Sequence, residues 1–69
     1  MELMSPVLFL IKKNDGNKKY VKLENLKAEL RALSLNEFEL FIVSDGVSIL
    51  VIVEQDIDKT MLKIKDKLS

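Results

Sequence analysis

Two Asp-Gly pairs thirty residues apart, Asp15-Gly16 and Asp45-Gly46, constrain the fold of this chain most strongly. Each pair lies between segments rich in aliphatic residues. Asp-Gly in that position is a strong hairpin signal, because glycine supplies the positive φ that a tight turn requires. We predict a three-residue loop closed by Gly16 in the first hairpin and the same turn chemistry in the second. The predicted strands cover residues 7–11, 20–23, 38–43 and 47–54.

Each predicted hairpin is followed by a segment with helical periodicity. The first helix is expected over about residues 24–34, with Asn25 as its N-cap and Asn36 as its stop signal. Asp56 or Asp58 is the expected N-cap of the second helix, which has lysines near its end. The apolar stripes are Leu23, Leu26, Leu30 and Leu33 in the first helix and Ile57, Met61, Ile64 and Leu68 in the second.

The resulting order, ββαββα, predicts one α+β domain over residues 1–69, with an antiparallel sheet of about four strands and two helices. Residues 8–25 laid over 38–55 without gaps give five identities. Two ββα units related by pseudo-symmetry would explain this match. The alternative explanation is that Asp-Gly is simply a common hairpin signal.

The composition excludes several kinds of site. The chain has 69 residues and contains no His, Cys or Trp. A histidine general base, a thiolate nucleophile, a His/Cys zinc site and a disulfide are therefore impossible. A domain of this size also leaves little room for a pocket of about 300 Å³. We expect no enzymatic activity, no cofactor and no small-molecule substrate.

Three carboxylates, Glu54, Asp56 and Asp58, alternate along the segment before the second helix. They could offer oxygen ligands to Mg²⁺ or Ca²⁺, or they could cap the helix and interact with its dipole. We favour capping. An EF-hand alignment fails at both Asp-Gly turns, because its first and last ligand positions fall on Ile11 and Lys22 or on Phe41 and Ile52. No metal site is predicted.

The first and fourth strands are apolar on both faces, whereas a half-exposed strand alternates apolar and polar residues. If both helices pack on one face, the other face exposes a set of large aliphatic side chains. Such a patch usually marks an interface, and a second copy is the simplest partner for the sheet face or edge. The alternative places one helix on each face and buries everything. The predicted partner-binding residues of the sheet are Leu8, Leu10, Leu50 and Ile52.

The net charge of zero conceals a segregation of charge along the chain. Residues 12–31 carry a net charge of +4, residues 32–58 of −6, and residues 59–69 of +3. A basic surface could bind nucleic acid or an acidic partner, or it could be a solvated face whose lysines protect a sheet edge. The candidate residues are Lys12, Lys13, Lys18, Lys19 and Tyr20 in the first hairpin and Lys59, Lys63 and Lys67 in the last helix.

These patterns favour a small non-enzymatic interaction protein, namely an adaptor, regulator or inhibitor, that docks on a larger protein as a homodimer. No apolar run approaches the length of a signal peptide or a membrane span, so we expect a cytoplasmic protein. The alternative function is a nucleic-acid-binding module that uses the lysine-rich hairpin and the basic helix face. A third alternative is a subdomain of a larger enzyme.

Overall fold

A computed structural model describes residues 7–68 and confirms the ββαββα order. The four strands form one antiparallel sheet in the order β2-β1-β3-β4. A short 3₁₀ turn, Leu35–Glu37, precedes β3. The elements are β1 Leu8–Lys13, β2 Lys18–Lys22, α1 Leu23–Arg31, β3 Phe38–Ser44, β4 Val47–Val51 and α2 Ile57–Leu68. The fourth strand is therefore shorter than the 47–54 expected.

The first hairpin has the predicted three-residue loop. The amide of Lys13 donates to the Asn17 carbonyl at 2.8 Å, and the amide of Gly16 donates to the Lys13 carbonyl at 3.0 Å. Gly16 has a φ of 98°, which only glycine adopts readily. A side-chain oxygen of Asp15 accepts the amide of Asn17 at 2.9 Å and stabilises the loop.

The second hairpin differs, and the expectation of repeated turn chemistry is wrong. Ser44 pairs directly with Val47, so the loop has two residues, Asp45 and Gly46. Both have positive φ, 53° and 78°, as a type I′ turn requires. This turn matches the twist of the flanking strands without an extra residue.

The unequal loops change the correspondence between the two ββα units. Phe9 pairs with Val21 in the first unit, and Leu40 pairs with Val51 in the second. All four are buried on the same side of the sheet, so β1 maps on β3 with a shift of 31 residues and β2 on β4 with a shift of 30. The identity between Leu10 and Leu40 is thus not a structural equivalence, because Leu10 faces the other side.

The caps were predicted correctly for one helix only. Asp56 caps α2, because one of its side-chain oxygens accepts the amides of Asp58 at 3.0 Å and Lys59 at 3.4 Å. At α1 the predicted N-cap Asn25 is wrong. The chain passes from β2 into the helix at Leu23, and the N-cap residue is Lys22, whose side chain makes no capping hydrogen bond. The helix also ends before Asn36, at Arg31.

Both helices pack on the same face of the sheet. The buried cluster joins Leu26 and Leu30 of α1 and Ile64 of α2 to side chains from all four strands. An ion pair of 2.8 Å between Lys27 and Asp58 connects the two helices. Neither helix in the described part of the chain is long and apolar enough to cross a membrane. The strand side chains of the cluster are Phe9, Ile11, Val21, Phe38, Leu40, Ile42 and Val51.

Candidate protein-docking face

The sheet face opposite the helices, which we call the open face, has an apolar row across all four strands. The register of the sheet places Leu10 between Tyr20 of β2 and Phe41 of β3. Phe41 in turn lies opposite Leu50 of the edge strand β4. Successive side chains of a strand point to opposite faces, so these four share one face. They form a continuous stripe from one edge of the sheet to the other.

A neighbouring row extends this stripe. Leu8 of β1 lies opposite Val43 of β3, two residues along each strand from the first row. Ile52 follows the end of β4 and is exposed. Leu8, Leu10 and Leu50, three of the four predicted docking residues, therefore come from the same side of the sheet, and Ile52 lines a depression beside Leu50.

Burial differs sharply between the two faces. The helix side holds the buried cluster, whereas on the open face Leu8, Tyr20, Leu50 and Ile52 are exposed. Leu50 keeps 48% of its accessible surface. Leu10, Phe41 and Val43 are half-buried. Large contiguous apolar patches are uncommon on the surface of soluble monomers and usually mark interaction sites.

The sequence interpretation missed Phe41 and Val43. A usable signal was present, because residues 40–43 form a continuous apolar run like those of β1 and β4. Glu39 shares its side of β3 with Phe41 and Val43. This one polar residue made that side of the strand look polar in the sequence. Phe41 lies at the middle of the apolar row and is the largest side chain of the open face from a central strand.

A shallow depression of about 260 Å³ lies where the open face meets the end of β4. Leu50, Ile52 and Glu39 contribute to its lining. It lies next to the Leu50 end of the apolar row.

The charges of the open face are mostly positive and lie toward β2. Lys12 of β1 lies opposite Lys18 of β2, and Lys22 lies opposite Leu8. Glu39 lies opposite Lys12 on the other side and is the one acidic residue of the strands on this face. Alternation along the strands places all four side chains on the open face. The apolar row thus has a basic margin at one side.

The remaining predicted basic residues are not on this face. Lys19 points to the helix side, where its ammonium group lies 2.8 Å from a Glu29 carboxylate oxygen of α1. Lys13 also points to that side by alternation. On α2, Lys63 donates to the Ile52 carbonyl at 3.0 Å and pairs with Glu54 at 3.2 Å. Lys59, Lys63 and Lys67 all lie on α2 in the helix layer, where Lys63 reaches the end of β4, whereas Lys12, Lys18 and Tyr20 of the hairpin project from the open face.

The three carboxylates just before α2 and in its first turn have separate partners. Glu54 pairs with Lys63, Asp56 caps the helix, and Asp58 pairs with Lys27. A hydrogen bond from the Lys27 ammonium group, together with its charge, lowers the pKa of Asp58 below the usual value, and Arg31 adds a smaller effect. Within residues 7–68 no three acidic side chains gather into a group that could hold a metal ion.

A cleft of about 330 Å³ lies on the helix side, between the end of α1 and the segment after β4. The expectation that the chain has little room for one is therefore wrong. Its lining is mostly apolar, from Leu30, Phe38 and Ile57, with Arg31 and Glu54 at its charged positions.

Comparison of the chain with models of protein families, with curated proteins and with solved structures finds no match. The function is therefore argued from the geometry of the open face.

Proposed function

We propose that this chain is a small non-enzymatic interaction protein that docks on a larger protein through the open face and acts as a homodimer. An adaptor, regulator or inhibitor would act in this way, and we propose a cytoplasmic location for it. The observation that carries the proposal is the uncovered apolar row of Tyr20, Leu10, Phe41 and Leu50. Burial of this row against a partner supplies the driving force for docking.

The charge of the open face supports a partner other than a second copy at this surface. Lys12, Lys18 and Lys22 outnumber Glu39, so two copies packed face to face would bring excess positive charge together. Like charges across an interface disfavour association. A larger protein with an apolar patch and acidic side chains along one margin complements the face. The lysines would then fix the orientation of docking.

Nucleic-acid binding remains the alternative function. Lys12 and Lys18 are adjacent on the open face beside Tyr20, and a phosphate backbone could contact them. The lysines of α2 lie in the other layer, however, so the basic contacts available to one bound strand are few. Because counterion release makes phosphate binding strongly salt-dependent, salt sensitivity separates the two functions.

The test is affinity capture from the native lysate with three forms of the protein: wild type, Leu50→Asp, and the matched control Leu62→Asp. Leu62 lies on α2 and is 66% exposed, so the control makes the same chemical change outside the open face. We expect one protein to be captured by the wild type and the control and to be lost with Leu50→Asp. Capture should persist after nuclease treatment and between about 50 and 200 mM salt.

Equal capture by the wild type and Leu50→Asp would contradict docking through the open face. Capture that disappears with nuclease, or that falls steeply with salt, would favour the nucleic-acid alternative. Replacing Tyr20 with Ala provides a second variant at the opposite end of the apolar row, far from β4. It should weaken capture without an added charge.

A further inference from the structure

The two edges of the sheet differ in how they are protected. The edge strand β2 has lysines at three of its five positions, Lys18, Lys19 and Lys22. Edge lysines discourage pairing with another strand. The edge strand β4, at the other side, has no charged residue and no proline. Its side chains Val47, Ser48, Ile49 and Leu50 are all exposed, on both faces of the sheet.

The backbone of β4 offers hydrogen-bonding groups at two consecutive outward positions. In an antiparallel ladder, alternate residues bond to the neighbouring strand, and the pair that closes a two-residue loop is a bonded one. Ser44 and Val47 close this loop, so Ile49 and Val51 bond to β3 as well. The amides and carbonyls of Ser48 and Leu50 therefore point outward. None of the described strands pairs with that edge.

The next outward carbonyl is already occupied. The Lys63 ammonium group donates to the Ile52 carbonyl at 3.0 Å and is held there by Glu54 at 3.2 Å. At the other end of β4, the turn residue Gly46 lies immediately before the first residue of the strand. The open part of the edge is thus limited to the segment around Ile49.

We propose that two copies pair through β4 in antiparallel register, with Ile49 of one copy opposite Ile49 of the other. Ser48 of each copy then pairs with Leu50 of the other, and each pair exchanges both backbone hydrogen bonds. A register centred on Leu50 would require the Ile52 carbonyl that Lys63 occupies. A register centred on Ser48 would require pairing by the turn glycine. This proposal rests on the homodimer part of the proposed function and specifies its surface.

Side chains support the same register. Val47 faces Val51 of the other copy, and the two Ile49 side chains meet at the twofold axis, so the exposed apolar groups on the helix side become covered. The register also brings the turn acid Asp45 of one copy opposite residues 52 and 53 of the other, where Lys63 lies. Lys63 is already paired with Glu54 there, so the side-chain support for this register comes from the apolar contacts.

The pairing closes as a dimer. A twofold interface uses the same patch on both copies, so both β4 strands are paired within the dimer. The edges that remain unpaired are the two lysine-rich β2 strands, which discourage further pairing. Two four-stranded sheets become one sheet of eight strands with a single continuous open face. The dimer therefore presents two docking rows side by side to a larger partner.

The first test is disulfide trapping with Ile49→Cys, which introduces the only cysteine of the chain. Directly opposed residues of a non-hydrogen-bonded pair have Cα atoms about 4.5 Å apart, within the range of a disulfide. We expect oxidation to convert Ile49→Cys to a covalent dimer. Leu62→Cys, at a position on α2 that is more exposed than Ile49 (66% against 51%), should remain monomeric under the same conditions. Equal trapping of both variants, or trapping of neither, would overturn the proposal.

The second test uses Ser48→Pro, with Ser48→Ala as the matched control. Proline removes an amide that points outward, so the single chain should keep its fold by circular dichroism while the partner loses a hydrogen-bond donor. In sedimentation equilibrium we expect Ser48→Pro to raise the dimer dissociation constant at least about tenfold, and Ser48→Ala to leave it near that of the wild type. An unchanged dissociation constant for Ser48→Pro, or open-ended assembly of the wild type, would overturn the proposal.

These outcomes are separable from docking on the larger protein. The Ile49 side chain lies on the helix side, so trapping does not depend on the open face. Loss of capture with Tyr20→Ala, which lies on β2 and away from the β4 edge, together with no trapping of Ile49→Cys would retain docking and reject edge pairing. The reverse result would reject docking and retain the dimer.

Discussion

Thr60 and Asp58 stabilise the start of α2 by different means. Thr60 is the one buried polar side chain among residues 7–68. Its hydroxyl accepts the amide of Glu54 at 2.9 Å and lies 3.4 Å from the Asp56 carbonyl, so it holds the segment after β4 against the helix. Asp58 is exposed and pairs with Lys27 of α1. The role of Asp58 is not visible in the sequence, because its partner Lys27 lies on a helix that only the tertiary fold brings near.

The ion pair between Asp58 and Lys27 predicts a measurable titration. The pKa of Asp58 is lowered in the folded chain, so its ionised form is favoured by folding. Its contribution to stability is complete above the usual aspartate pKa and is lost as the pH falls through the lowered value. We expect Lys27→Met to move the Asp58 titration toward the usual range, measured by NMR at its carboxyl carbon. Some lowering should remain, because Arg31 also contributes.

Lys12→Met is the matched control for this titration. Lys12 lies on β1 and projects from the open face, away from α2. It should leave the Asp58 titration unchanged. If Lys27→Met and Lys12→Met give the same midpoint as the wild type, the ion pair is not formed in solution.

At the scale of elements, the sequence predicts those strands, helices and turns that depend on neighbouring residues alone. Aliphatic segments beside the Asp-Gly turns reveal four strands. Helical periodicity reveals two helices, because burial of one helix face imposes that period. The Gly16 loop was also predictable, since Asn-Asp-Gly suits a type I turn closed by a positive φ. The second turn was not, because the choice between two and three loop residues depends on which strand residues pair. The α1 cap was missed because β2 runs directly into the helix.

The sequence did not decide whether both helices pack on one face of the sheet or one helix packs on each face. The apolar residues on both sides of β1 and β4 are equally consistent with a helix on each face. The structure distinguishes these arrangements because Leu26, Leu30 and Ile64 enter one buried cluster. The predicted docking residues of β1 and β4 were correctly grouped on one face, but whether they bind a partner remains a prediction.

The type I′ turn of the β3–β4 hairpin makes Gly46 sensitive to an added methyl group. A Cβ at Gly46 would contact nothing within 4 Å, so substitution disturbs the backbone conformation alone. Since φ is 78°, we expect Gly46→Ala to lower the free energy of unfolding by about 1 kcal/mol, measured with urea. Asp45→Asn is the matched control and should be close to neutral, because Asn also adopts positive φ readily. A neutral Gly46→Ala would contradict the turn assignment.

At the scale of the whole molecule, the two proposals rest on two different surfaces, the open face and the β4 edge. The open face combines an apolar row with a basic margin, which favours a different, acidic-rimmed partner. The β4 edge is uncharged and has outward backbone groups in a self-complementary arrangement, which favours a second copy. A chain of this size buries only about 60% of the surface of its unfolded state, and such chains often gain stability by association. Edge pairing would supply that stability and leave the open face free.

The central claim is that the open face is uncovered in the folded single chain, and the most direct measurement compares Leu50→Asp with Leu40→Asp. The two leucines lie on neighbouring strands, but Leu40 is fully buried on the helix side whereas Leu50 is 48% exposed. Urea unfolding at low protein concentration should show Leu50→Asp within about 1 kcal/mol of the wild type. Leu40→Asp should lose more than about 3 kcal/mol, enough to unfold a domain of this size. Equal destabilisation by the two variants would mean that Leu50 belongs to the core, and the account would be contradicted.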